Sequence, residues 1–181
     1  MSSLSVYHVS SPDLPNKVLT HFDDITATLA EQGVRFDRWQ AAVKLQPGAT
    51  DEELVAAYQG PLDQLMTDRG YLGVQVISVS SEQQPSAEPQ ARRLEEQHFE
   101  EDHVRFFVAG RGLFNLHIGE YVYAVLCEKN DLILVPAGTR HWFDMGERPH
   151  FVAIGLFRTA LEPLAHITPG GIAGDFPPLD D

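Results

Sequence analysis

Eight histidines in a chain of 181 residues raise the question of a bound metal, although a single histidine is more often structural. His98 and His103 flank an acidic run, Glu100-Glu101-Asp102, while His141 ends the turn Pro136-Ala137-Gly138-Thr139-Arg140-His141. Imidazole nitrogens and carboxylate oxygens are common donors to divalent transition metals. Plainer readings stand beside these. The acidic run suits a solvated turn, since carboxylates avoid burial, and His8, His21, His117, His150 and His166 read as surface or cap residues. Trp142, Phe106 and Phe107 fit a core by their apolar area, and Cys127 beside Leu126 reads as a small buried hydrophobe.

Composition narrows the classes. At 20.1 kDa, with 43% hydrophobic and 22% charged residues, the chain suits one soluble globular domain, and no apolar run approaches the ~18 residues of a membrane span. Thirteen basic against 26 acidic side chains give a net charge of -13, the wrong sign for following a phosphate backbone. Neither nucleic acid nor a membrane is expected as a partner. The single Cys127 forbids an internal disulfide, and Met1-Ser-Ser-Leu-Ser lacks the basic and apolar regions of a signal peptide, so the cytoplasm is the expected compartment.

The elements that must position these residues come in three blocks: residues 1–70, 71–158 and 159–181. Leu4 to His8 reads as a strand. Ile25, Leu29 and Val34 suggest a helix ending near Gly33. Thr50 and Glu53 form a capping box before a helical run that Pro61 should kink or divide and Gly70 should stop. Val74, Val76 and Ser78 alternate, and residues Ser80 to Gln90 read as a surface loop. From Arg92 to Phe157 short β-like runs follow one another, over Val104–Val108, Gly112–Ile118, Tyr121–Cys127, Leu132–Val135, His141–Met145 and Phe151–Phe157, separated by turn residues such as Gly110-Arg111-Gly112. That spacing predicts a mainly β sandwich or barrel. The tail, rich in Pro and Gly, is expected to pack irregularly or fray.

A Pro-Ala-Gly-x-x-His turn after a Gly-x-Gly hairpin resembles the second motif of a cupin barrel. Longer strings carry a more specific resemblance: Glu95 to Phe107, Val125 to Asp131, and His141-Trp142-Phe143-Asp144-Met145-Gly146 are similar to the acireductone dioxygenases of methionine salvage, and the similarity runs from Ser5 through the tail. The resemblance implies a double-stranded β-helix barrel over about Val74 to Phe157 with N-terminal helices outside. It also implies Fe(II) or Ni(II) as cofactor and O₂-dependent cleavage of 1,2-dihydroxy-5-(methylthio)pent-1-en-3-one, to formate and 4-methylthio-2-oxobutanoate with iron.

The family's ligand motif, H-x-H-x-x-x-E before V-R-F-F with a later His, maps by resemblance onto Gln97, Phe99, His103 and His141. Only His141 matches. An amide, a phenyl ring and an imidazole replace the other three, so weak or absent metal is expected. Glu96, Asp102 and Arg105 match family positions, and the resemblance gives Arg105 a part in holding the substrate dianion. Gly155 replaces a family Arg, Thr159 to Pro163 replaces an N-P-E-G-W segment, and Arg93 a Phe.

Three functions compete. The first is a family homologue without metal-dependent activity, kept for a binding or regulatory role. The second is a working dioxygenase in which a bulge brings His98 in beside His103 and His141. The third is a cupin binding another small molecule without redox chemistry. A purely structural partner protein also fits the charge, and oligomeric state is not encoded in any motif.

Overall fold

A computed structural model describes residues 2–40, 49–80, 95–146, 149–160 and 163–179. The loop expected from Ser80 to Gln90 lies, beyond Ser80 itself, outside the described residues, as do Arg93 and positions 161 and 162. The chain runs β1 (Ser3–His8), β2 (Lys17–Leu19), α1 (Phe22–Ala30), β3 (Arg35–Arg38), α2 (Asp51–Ala57), α3 (Gln59–Arg69) and β4 (Gly73–Ser80). It continues with β5 (Gln97–His98), β6 (His103–Ile118), β7 (Tyr121–Glu128), β8 (Asp131–Val135), β9 (Arg140–Asp144), β10 (His150–Phe157) and β11 (His166–Ile167).

The helices obey their local signals. Thr50 accepts from the Glu53 amide at 3.2 Å while Glu53 Oε1 accepts from the Thr50 amide at 3.3 Å, closing the capping box of α2. Pro61 has no amide hydrogen and crowds the carbonyl four residues back, so the helix breaks at Tyr58 and restarts as α3. Gly70 caps α3 in the left-handed conformation, φ 72°.

The strands form a mainly β fold, as the alternation and turn spacing predict. The Gly110-Arg111-Gly112 stretch is not a hairpin, however. It is a bend inside one 16-residue strand, β6. Gly110 adopts φ +74°, and pairing with β10 slips at Val152/Ala153. The first half of β6 pairs with β8 and β10, and the second half with β7 and β9, so one strand serves two sheets. β4 extends the first sheet beyond β10 and β3 extends it beyond β8. The second sheet runs β11-β5-β9-β6-β7-β1-β2.

Three apolar clusters hold these layers together. Phe107, Phe114, Leu116, Ile133, Val135 and Phe151 fill the space between the sheets, with Ile25 and Leu29 of α1 joining them. Leu54 of α2, Leu62 and Leu65 of α3, and Tyr58 between the two helices cover the outer face of the first sheet against Val104, Phe106, Leu134 and Leu156. The tail covers the other outer face: Phe176 packs on Tyr7 and Trp142, with ring centroids 5.7 and 5.8 Å away. The described part of the tail, residues 163–179, thus packs on the barrel, because its apolar residues and β11 have a sheet to complete.

Two glycines test this construction. A Cβ on Gly110 would lie 2.1 Å from the His150 carbonyl oxygen at a positive φ, whereas one on Gly119, also at positive φ, would meet nothing within 4 Å. Gly119→Ala should cost about 1 kcal/mol in urea denaturation, and Gly110→Ala at least about twice that. Equal losses would contradict the bend as described.

Candidate functional site

The four positions aligned with family ligands converge at one end of the barrel interior. Gln97 of β5 is the direct cross-strand partner of His141 on β9. Phe99, following β5, is buried with its ring edge-on to His103 at 4.6 Å and 5.6 Å from the His141 ring. His103 and His141 lie with ring centroids 5.3 Å apart. Alternation along the strands puts Leu116 and His141 on the inner face and His117 and Arg140 on the outer one.

Both inner imidazoles are about 98–99% buried. The Thr139 carbonyl lies 2.9 Å from His141 Nδ1, which therefore donates and leaves Nε2 with the lone pair. Neither ring nitrogen of His103 has a hydrogen-bond partner among the described residues. Burial pushes the His141 pKa down to about 4, against a weaker upward pull from its bond to the Thr139 carbonyl, with Arg105 adding to the fall. Burial, then His141 and Arg105, push His103 well below the ordinary histidine range. Both rings are neutral at pH 7.

Aromatic groups pack round the two imidazoles. Phe157 lies parallel to His103 at 6.4 Å, and its ring comes within 3.1 Å of where a Cβ on Gly155 would stand. The space a side chain at Gly155 would enter is thus occupied by Phe157. The Arg105 guanidinium sits 5.7 Å from the rings of both Phe114 and Phe143.

Other sequence candidates point elsewhere. His98 pairs with His166 across β5 and β11, its ring stacked on His166 at 5.2 Å on the side away from Gln97, and no bulge interrupts β5. Glu96 is buried on that outer side, where its carboxylate accepts from His117 Nδ1 at 2.7 Å and from the Ile172 amide at 3.1 Å. It ties down the tail instead of facing the pocket. Asp102 lies at the barrel rim, 2.5 Å from the Tyr71 hydroxyl and 2.6 Å from Arg158 Nε. Burial pushes its carboxyl up, but those two bonds outweigh burial and hold it below the usual range. Sequence patterns give no sign of the roles of His117, Tyr71, Arg158 and Phe157, since each gains its partner through the fold and only the buried carboxylates hint that partners must exist.

An amide, a phenyl ring and two imidazoles make a poor set for Fe(II) or Ni(II), because a phenyl ring has no lone pair and no anionic oxygen offsets the metal's charge. Among the described residues no group of three His, Cys, Asp or Glu side chains is placed to hold a metal.

A family model described as the ARD/ARD' family matches residues 6–163. Proteins named acireductone dioxygenase from Pseudomonas fluorescens (strain Pf0-1) and Pseudomonas syringae pv. syringae (strain B728a) are 67% and 66% identical over 181 residues, each spanning the whole of both chains. A solved structure described as acireductone dioxygenase from Bacillus anthracis with cadmium ion in the active center is 28% identical, with a TM-score of 0.75 over 91% of this chain and 98% of that one. The fold is accordingly that of a cupin.

The two buried imidazoles generate a pH prediction. Both stay neutral when folded but protonate near pH 6.5 when unfolded, so the unfolded chain binds more protons below that value and stability falls as pH drops from 6.5 toward 4. His141 alone accounts for up to about 3 kcal/mol. Urea titrations across that range should show the decline, and His141→Gln should flatten part of it; a variant profile parallel to the wild type would contradict the burial of a neutral ring.

Proposed function

Starting from the fact that this chain belongs to the acireductone dioxygenase family, we propose that it is a family cupin without the metal-dependent reaction, whose barrel serves a binding or regulatory role. The observation that supports this most directly is the buried Phe99 ring, edge-on to His103 where the family has a histidine ligand. With Gln97 in place of a second histidine and His103 in place of the carboxylate, two nitrogens remain, too few to hold Fe(II) or Ni(II) against water and cellular chelators. The dioxygenase reaction runs through the metal at every step, so none of its steps is assigned to this chain's residues.

The residues that remain support a ligand role of another kind. Arg105 supplies a fixed positive charge beside Phe114 and Phe143, and His103 and His141 supply neutral nitrogen acceptors in an apolar surrounding. A small molecule with a hydroxyl or enol donor and an anionic oxygen complements such a pocket. The cytoplasm is the compartment we propose, with Cys127 a buried free thiol. No helix among the described residues is long and apolar enough to cross a membrane.

The relatives' names favour a second reading, a working dioxygenase with rearranged ligands. It needs His98 inside the barrel, whereas the His98 ring stacks on His166 outside it.

Metal analysis and restoration separate the readings. The wild type, purified without added metal, should carry iron and nickel far below one per chain. The triple variant Gln97→His, Phe99→His and His103→Glu should gain divalent-metal affinity by at least about tenfold, with only partial dioxygenase activity because the Arg that the family carries at Gly155 is still missing. Under the second reading His98→Ala would strip a native metal instead. Stoichiometric iron or nickel in the wild type that survives His98→Ala but not His141→Ala would refute both readings.

A further inference from the structure

We infer a second ligand site on the outer wall of the barrel, built by His117 and Arg140 and suited to a small phosphate monoester. These two residues are direct cross-strand partners on β6 and β9, so their side chains rise side by side from the same face, opposite to the one that carries His141. Beside them opens a cavity of about 470 Å³, also lined by Gly119, Gly138 and Thr139, a volume typical of small-molecule sites. Both glycines turn with positive φ, and a Cβ on either would meet nothing within 4 Å, so the turns keep the mouth open.

The donors are prepared. Glu96, with a relative exposure of 3%, accepts from His117 Nδ1 at 2.7 Å while its other oxygen is held by the Ile172 amide. A carboxylate only accepts, so His117 carries its proton on Nδ1, its ring is fixed, and Nε2 is the atom left for a ligand. Arg140 is exposed and has no hydrogen-bond or ion-pair partner among the described residues, unlike Arg35, Arg38 and Arg158, which pair with carboxylates. An arginine left unpaired beside a cavity, in a chain of net charge -13, is an available anion contact. Of the nearby carboxylates, Glu96 is already satisfied and Glu120 lies 3.7 Å from His8.

Phosphate fits better than carboxylate for a chemical reason. A phosphate monoester has its second pKa near 6, so close to that pH its monoanion keeps an O–H that Nε2 can accept while its charged oxygens face the guanidinium. An ionised carboxylate has no proton to share. Thr139, whose side chain carries a hydroxyl donor, also lines the cavity. This site does not rest on the loss of the metal, since no ligand position of the interior lines it.

The test is an NMR titration of the whole protein with inorganic phosphate, following the backbone amides of Gly119, Gly138 and Thr139 and the His117 ring, with malonate as a dicarboxylate comparison. Saturable shifts at these residues are expected, with malonate weaker. Arg140→Gln should weaken phosphate by about tenfold or more, and His117→Gln, which keeps a donor for Glu96, should weaken it too. Shifts that fail to saturate, phosphate binding unchanged in Arg140→Gln or His117→Gln, or malonate binding as tightly as phosphate would each overturn the inference. Unchanged spectra elsewhere in both variants would show that the fold is intact.

Discussion

The bend at Gly110 is the constraint on which both faces of the barrel depend. A residue with a Cβ could not follow the chain there, because the His150 carbonyl occupies the space and φ is left-handed. By bending, β6 leaves one sheet and enters the other, so its first half carries His103 and Arg105 beside β8 and β10 while its second half carries Leu116 and His117 beside β9. His103 and His141 thereby meet although they stand on different sheet partners. The same alternation that turns His141 inward turns Arg140 outward, and one bend therefore organises the interior pocket and the outer wall together.

What fills the interior follows from low dielectric. Phe99 and Phe157 lie against His103, and Phe99 and Phe114 against His141, and burial among them keeps both imidazoles uncharged. The buried carboxylates Glu96, Asp102, Asp131 and Asp144 are all on the other sides, where each has partners. Glu96 and Asp144 anchor the tail, the latter through the Leu179 amide at 2.9 Å, and Asp131 holds Arg38 and the Glu128 amide. The buried carboxylates of this molecule lock segments together on the outer sides of the barrel, whereas its interior combines aromatic rings and neutral imidazoles with the Arg105 guanidinium.

Much of this is legible in residue order. The capping box at Thr50, the stop at Gly70 and the strand runs after Val104 rest on local chemistry and appear in the fold. The register that aligns Gln97, Phe99, His103 and His141 rests on the resemblance of Val104-Arg105-Phe106-Phe107; in the fold the rings of Phe99, His103 and His141 lie together and Gln97 pairs with His141 across the strands. The Gly110 to Gly112 stretch reads as a hairpin because glycines mark a turn and a bulge alike; only the long-range pairing with β10 distinguishes them. The short strands β2, β3 and β11 carry no alternation of their own and exist because neighbouring strands offer free edges. Glu96 matches a family position next to Gln97, yet adjacent residues on a strand face opposite ways, and its partner His117 lies 21 positions on.

Whether the barrel interior holds a divalent-metal site decides the function of this chain. Diffraction from crystals soaked in excess Ni(II), recorded on both sides of the nickel absorption edge, answers that at the atoms concerned. An interior of aromatic rings, two neutral imidazoles and the Arg105 guanidinium predicts no anomalous peak within bonding distance of His141 Nε2 or either nitrogen of His103. A peak there, coordinated by His141 together with any of Gln97, His98 or His103, would contradict it.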